Sequence, residues 1–302
     1  MVSFQAPVTD ILSFLQEKLD DGLAFSTVKV YLAAISACHV GFDDKTASKH
    51  PLVSRFMAGA SNLRTVTRSL FPSWDLVIVL DGLGRPPFEP LESSSMKLLS
   101  FKTILLLALT TAKRVSDLHA LSVSPECMRF GNDGRKVLLK PNLAFVPKNR
   151  VVIHEPVELV AFHPPPFTGV EDERLHRLCP VRALKLYCER TRTMRTSSQL
   201  FVSYGQSKNT RKAVAKPTLS RWIVEAIKLA YDCAKVPVPE GLRAHGTRGV
   251  STSWAAARGV SVQEICTAAN WSSPSTFAVF YNLDVAASSM AHTVLSVAAS
   301  SS

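Results

Sequence analysis

The sequence predicts a mainly α protein with a small antiparallel β-sheet, divided into a helical unit over residues 1–72 and a larger mixed α+β unit over 73–302. Three observations predict it. Apolar residues recur at helical spacing through 8–66 and again from about 95 onwards, whereas 135–160 carries short β-type runs among Pro and Asn. Ser69-Leu70-Phe71-Pro72-Ser73 punctuates the chain between the two units.

In the first unit, Ile11, Leu12, Phe14, Leu15 and Leu19 form a helical stripe, with Thr9 or Asp10 expected as N-cap and Gly22 as the stop. Ser26 or Thr27 is expected to cap a second helix with Val28, Val30, Tyr31, Ile35 and Val40 on its apolar side. Pro51 suits the first turn of a third helix, because its missing N–H has no partner to lose there.

Past the Pro-rich loop at 84–90, a long helix is expected from about Ser95 to Ala112, and another from Arg114 through Leu121. The runs Lys136–Lys140 and Val151–His154 fit a hairpin or small sheet. Helices are expected to return at Pro180–Arg190, Thr218–Tyr231, Arg248–Arg258 and Ser261–Ala269. Ser261 and Glu264 make a capping box, Gly259 suits the preceding helix end, and Ser273-Pro274 opens a last short helix. In that helix Phe277 and Phe280 are expected to anchor in the core while Tyr281 projects; Trp222, Trp254, Tyr187 and Tyr231 read as core aromatics.

Charge is unevenly placed. Of the net +11, residues 201–260 hold ten Lys/Arg against three Asp/Glu, whereas residues 1–75 balance at seven each. Such a local excess suits a polyanionic partner, and Lys208, Arg211, Lys212 and Arg243 are the candidate contacts. The six cysteines lack a Cys-x-x-Cys pair and the histidines lack ligand spacing, so neither a metal site nor a disulfide framework is expected, and reduced intracellular thiols are. The amino terminus has no signal-peptide pattern, and the longest apolar run is far below the ~20 residues a membrane span requires.

The residues that carry chemistry are Arg114, His245, Arg248, Trp271 and Tyr281. Guanidinium groups hold a phosphate in planar, bidentate fashion, a phenol can attack phosphorus, and His or Trp can donate a hydrogen bond as charge builds. Asp117 stands one turn beyond Arg114, on the same helix face, and is expected to orient it.

Through Thr111-Ala112-Lys113-Arg114-Val115-Ser116-Asp117-Leu118, His245-Gly246-Thr247-Arg248, Trp271 and Phe280-Tyr281, the chain resembles the tyrosine recombinase (integrase) family over essentially its whole length. The runs His50-Pro51-Leu52-Val53 and Cys179-Pro180-Val181-Arg182-Ala183-Leu184 look like recombinases of DIRS-type retrotransposons. The resemblance implies that 1–72 is a core-binding domain clamping DNA and 73–302 a catalytic domain. It implies a catalytic hairpin lysine, with Lys148 the choice, Lys140 the alternative and Lys136 third. It further implies double-stranded DNA as partner, a tetrameric homo-oligomeric synapse, nuclear location, and strand cleavage through a 3′-phosphotyrosine without cofactor, metal or ATP. One position departs from common family usage: Ala112, where many members carry Gly. Trp271 occupies a position where the family has either His or Trp, and an indole donates but cannot shuttle a proton. A type IB topoisomerase, a domesticated DNA-binding protein and a metal-dependent nuclease are the competing readings.

Overall fold

The computed structural model describes residues 3–64, 71–147, 156–204 and 211–285, and the chain divides into two compact units, 1–68 and 69–302. The first unit holds α1 (Val8–Asp20), α2 (Phe25–Cys38) and α3 (Pro51–Leu63) around Ile11, Leu15, Leu19, Val28, Leu32, Val53 and Ala60. Neither expected polar cap is used. Pro7, already extended at ψ 156°, starts α1 two to three residues earlier, which leaves Asp10 in the first turn where its charge suits the helix dipole. Ala24 precedes α2. The expected α2 stripe is also narrower, with Val30 68 % and Val40 70 % exposed. Val30 lies two residues from Val28, roughly 200° around the helix, so Leu32 and Ile35 at four and seven residues take the buried face instead.

In the second unit the axis is α5 (Met96–Thr111), capped by Ser95 and buried on every side, with Leu99, Ile104, Leu105, Leu106 and Leu107 almost wholly enclosed. It packs against α8 (Pro180–Thr191), α9 (Lys216–Ala234) and α10 (Gly246–Ala257). Residues 74–83, for which the pattern predicts no element, form α4 (Leu76–Leu83), whose N-cap Asp75 accepts from the Val77 amide at 2.7 Å. Gly82 lets α4 approach α9 closely: an added β-carbon would stand 2.7 Å from that of Ala230. The short α7 (Val170–His176) was likewise not signalled by periodicity.

Lys102 is fully buried within α5 and donates to Leu83 O at 2.7 Å and to the Glu89 carboxylate, which Arg182 grips with both terminal nitrogens at 2.9 and 3.1 Å. Burial pushes the Lys102 ammonium down to about 8, against the pull of Glu89. Glu89 itself stays below the usual carboxylate range: burial raises it, but Arg182 and Lys102 outweigh that. This network fastens the Pro-rich loop to α5 and α8.

The sheet is three-stranded and antiparallel, in the order β1 (Met128–Phe130), β2 (Lys136–Leu139), β3 (Val157–Val160). Met128 pairs with Leu139, Lys136 with Val160 and Leu139 with Val157. Thus the hairpin turn proper lies at 131–135, and the expected run Val151–His154 falls outside the described residues. The remaining elements are α6 (Val115–His119), α11 (Val262–Ala269) with its Ser261–Glu264 capping box, and α12 (Pro274–Phe280). Among the described residues no helix is long and apolar enough to cross a membrane.

Candidate active site

Four elements of the second unit deliver the candidate side chains. Arg114 is the N-cap of α6, held by the Asp117 carboxylate, which accepts from the Arg114 backbone amide at 3.1 Å. The expected orienting role of Asp117 is therefore exerted on the Arg114 main chain. His245 and Arg248 open α10, Trp271 follows α11, and Tyr281 ends α12.

The side chains of His245, Arg248, Trp271 and Tyr281 meet. The Tyr281 hydroxyl lies 2.9 Å from His245 Nε2. The Tyr281 ring stacks on Trp271 with centroids 4.4 Å apart and planes at 28°. Beneath both rings sits the Arg248 guanidinium, its Cζ 5.1 Å from the Trp271 centroid and 5.3 Å from that of Tyr281. Arg248 is 1 % exposed. Its Nη2 donates to Ala269 O at 2.7 Å, whereas Nε and Nη1 are buried and, among the described residues, unpartnered, as is Trp271 Nε1. Buried donors without acceptors are costly, so this cluster is built to receive an acceptor-rich, anionic group.

Electrostatics agree with that reading of the cluster. Burial is the chief cause that brings Arg248 down to about 10, and Arg114 adds to it; the guanidinium still keeps its charge at neutral pH. His245 is exposed as a whole residue, but packing of its ring, then the charges of Arg248 and Arg114, hold the imidazole below its usual range. The neutral ring can accept at Nε2. That Arg114 acts on both His245 and Arg248 marks its charge as part of the same field.

The nucleophile candidate is held by a residue with no sequence signal. Ser253, buried on α10, donates to Tyr281 O at 2.7 Å and accepts from the Leu283 amide at 2.8 Å. A serine inside a helical pattern is indistinguishable from any other until the chain doubles back upon it. The expected anchoring of α12 is corrected as well: Phe277 is buried, but Phe280 is 65 % exposed. Phe277 and Tyr281, four residues apart, share the face toward Trp271, and Phe280 points about 100° away.

Lys148 and Lys208 lie outside the described residues. Lys140 is exposed just past β2. The β2 end that carries it faces the Arg114 turn, since Leu139, Pro141 and Val157 line a cavity of about 20 Å³ together with Thr111, Lys113 and Asp117. Lys136 stands at the opposite end of β2, about 10 Å away at strand rise, near Glu158. Arg211, Lys212 and Arg243 are all exposed. Larger cavities of about 510 to 610 Å³ lie around Arg182 and Lys185, away from these side chains. Among the described residues no group of three or more His, Cys, Asp or Glu side chains could hold a metal ion.

No protein-family model matches the chain, and no curated protein matches it by sequence. Solved structures do match its fold. The Tn1549 transposon integrase in complex with transposon right-end DNA aligns at TM-score 0.57 and 12% identity, over 98% of this chain and 86% of that one. The XerH site-specific recombinase bound to a palindromic difH substrate, in a post-cleavage complex, aligns at TM-score 0.56 and 15% identity, over 98% and 72%. A lambda integrase dimer bound to a COC′ core site aligns at TM-score 0.51 and 13% identity, over 95% and 83%. The mainly helical architecture with its three-stranded antiparallel sheet is the fold of tyrosine recombinases.

Proposed function

We propose that this protein cuts and rejoins double-stranded DNA through a 3′-phosphotyrosine intermediate. The observation that carries the reading is the 2.9 Å contact between the Tyr281 hydroxyl and His245 Nε2, beside a buried arginine two of whose donors have no partner among the described residues. Arg114 and Arg248 hold the non-bridging oxygens of the scissile phosphate and offset its growing charge. The Tyr281 oxygen bonds to phosphorus as its proton passes to His245, and the bond from phosphorus to the 5′ oxygen breaks. The departing oxygen takes a proton from Lys148, or from Lys140, both on the β2–β3 connection that begins at the Arg114 end of the sheet; Lys136 is at the wrong end. Trp271 supports the ring of Tyr281 and turns its N–H to the phosphate. Rejoining runs the same steps backwards, with the bond energy kept in the protein–DNA link, so neither ATP nor a metal is called for.

In this reading residues 1–72 clamp the duplex from one side and 73–302 perform the chemistry. Lys208, Arg211, Lys212 and Arg243 contact backbone phosphates, and the working assembly is a homotetramer on DNA. The lambda integrase that shares the fold is a dimer on its core site, which supports assembly on DNA. Assignment to a DIRS-type mobile element acting in the nucleus rests on sequence wording alone.

Incubation with nicked suicide DNA, followed by denaturing electrophoresis, tests the reading. A covalent adduct is expected with the unaltered protein, in EDTA as without it, and none with Tyr281→Phe. An adduct that persists in Tyr281→Phe, or one that EDTA abolishes, overturns it.

A further inference from the structure

Two left-handed helix caps lie face to face at this site. Helix α5 ends on Ala112 at φ 49°, and the turn Ala112-Lys113-Arg114 leads into α6. Helix α11 ends on Asn270 at φ 53°, and the turn Ala269-Asn270-Trp271 leads out of it. Each turn presents one of the candidate active residues. Across the gap, Lys113 Nζ donates to Asn270 Oδ1 at 2.8 Å. Asn270 is 5 % exposed.

We propose that Lys113 and Asn270 form a positioning pair that fixes the Arg114 turn against the Arg248–Trp271–Tyr281 cluster. The assignment rests on the cleavage reading above. Three features favour it. Asn270 is preceded by Ala269, whose carbonyl anchors Arg248, and followed by Trp271, on which Tyr281 stacks. The segment 269–271 therefore already registers Arg248 and Tyr281, and the Lys113 bond brings Arg114 into the same frame. Second, the cap geometry itself does not need the carboxamide, because Gly adopts this conformation more readily than any L-residue. An Asn at that cap, buried and bonded to a lysine 157 positions away, is an added connection. Third, an ammonium between two helix C-termini is stabilised by the partial negative charge of their last carbonyls.

The Arg114 turn is also stiff within itself. The Lys113 amide donates to Thr111 Oγ1 at 3.3 Å and the Arg114 amide to Asp117 Oδ2 at 3.1 Å. Such a turn moves as one body, so the tether at Lys113 bears on where Arg114 stands relative to the phosphate.

Asn270→Gly removes the carboxamide without straining the backbone, and Lys113→Met keeps the aliphatic stem. Each is expected to slow single-turnover cleavage at saturating DNA by about 10- to 100-fold, the scale of an ångström-level misplacement. The double variant should be no slower than the slower single within about threefold, and Lys113→Arg should restore the rate to within about threefold of the unaltered protein. DNA-free protein labelled with 5-fluorotryptophan supplies a readout independent of activity. The Trp271 fluorine resonance, identified by its loss in Trp271→Phe, should move in both single variants while that of Trp222 stays. Additive rate losses, no rescue by Lys113→Arg, or an unmoved Trp271 resonance would overturn the pair. Should the unaltered protein form no adduct, the cleavage reading falls, and the fluorine spectrum still decides whether the pair sets Trp271.

Discussion

Ser253 offers a quantitative test of how Tyr281 is held. Its hydroxyl bridges Tyr281 O at 2.7 Å and the Leu283 amide at 2.8 Å, so that the chain just past α12 is pinned to α10. Ser253→Ala removes both bonds at once. A net intramolecular hydrogen bond contributes about 0.5–1.5 kcal/mol, and a buried group left unpaired costs about 1–3 kcal/mol. Tyr281 and Leu283 are only half-buried, so water can reach their freed groups and the lower ends apply. The two bonds then total about 1–2 kcal/mol. That energy holds the docked position of the Tyr281 segment. Because about 1.4 kcal/mol is tenfold in an equilibrium, the docked-to-undocked ratio should fall by about 5- to 30-fold, and the cleavage rate by up to that factor. Single-turnover adduct formation at saturating suicide DNA measures it, alongside DNA affinity, which should not change because Ser253 is enclosed within the fold. Cleavage by Ser253→Ala at the unaltered rate, with an equal loss of global stability, would refute the reasoning.

Other outcomes follow from the same structure. Glu89→Gln strands the fully buried charge of Lys102, and urea unfolding should show a loss of about 3–5 kcal/mol, whereas Glu171→Gln, which breaks the exposed Arg174–Glu171 pair, should leave the unfolding midpoint essentially where it was. His245 is held below its usual 6.5, so its folded-state proton binds at lower pH than in the unfolded chain. The neutral, accepting imidazole is thus present throughout neutral pH, and both stability and adduct rate should decline only as pH falls below about 6.5, as a pH–rate profile against His245→Gln will reveal. Ala112→Gly should change stability by less than about 1 kcal/mol in chemical denaturation, because relief at φ 49° is offset by greater unfolded-state freedom and by the loss of a buried methyl group.

Much of the architecture was legible because it rests on strong local signals. The helix starts at Ser95, Pro51, Pro180 and Pro274, the Ser261–Glu264 box and Gly259 all act within one turn, and the structure uses each of them. The caps of α1 and α2 differ from expectation because Thr9, Asp10, Ser26 and Thr27 are competent cap residues that lie two or three positions too late; burial of Leu15 and Val28 decides the registers instead. Helix α4 carries the β-branched run Val77-Ile78-Val79, which local propensity does not assign to helix, and only its packing on α9 makes it one. At the candidate site, residue types and order pointed to Arg114, His245, Arg248, Trp271 and Tyr281 before any geometry. What holds them could not be read so: Ser253, the Ala269 carbonyl and the Lys113–Asn270 bond act across 21 to 157 positions, and no spacing rule links them. The Ala112 departure likewise acquires a meaning only in three dimensions, where Ala112 belongs to one buried apolar cluster with Ile265, Cys266 and Trp271.

The central claim is that the phenolic oxygen of Tyr281 becomes the attachment point of DNA. Protease digestion of the trapped adduct, followed by mass spectrometry, tests it most directly. The account predicts a single peptide spanning Tyr281 that carries the nucleotide through a 3′ phosphate, with a free 5′ hydroxyl on the released strand. Attachment at another residue, or a 5′-phosphate linkage, would contradict it.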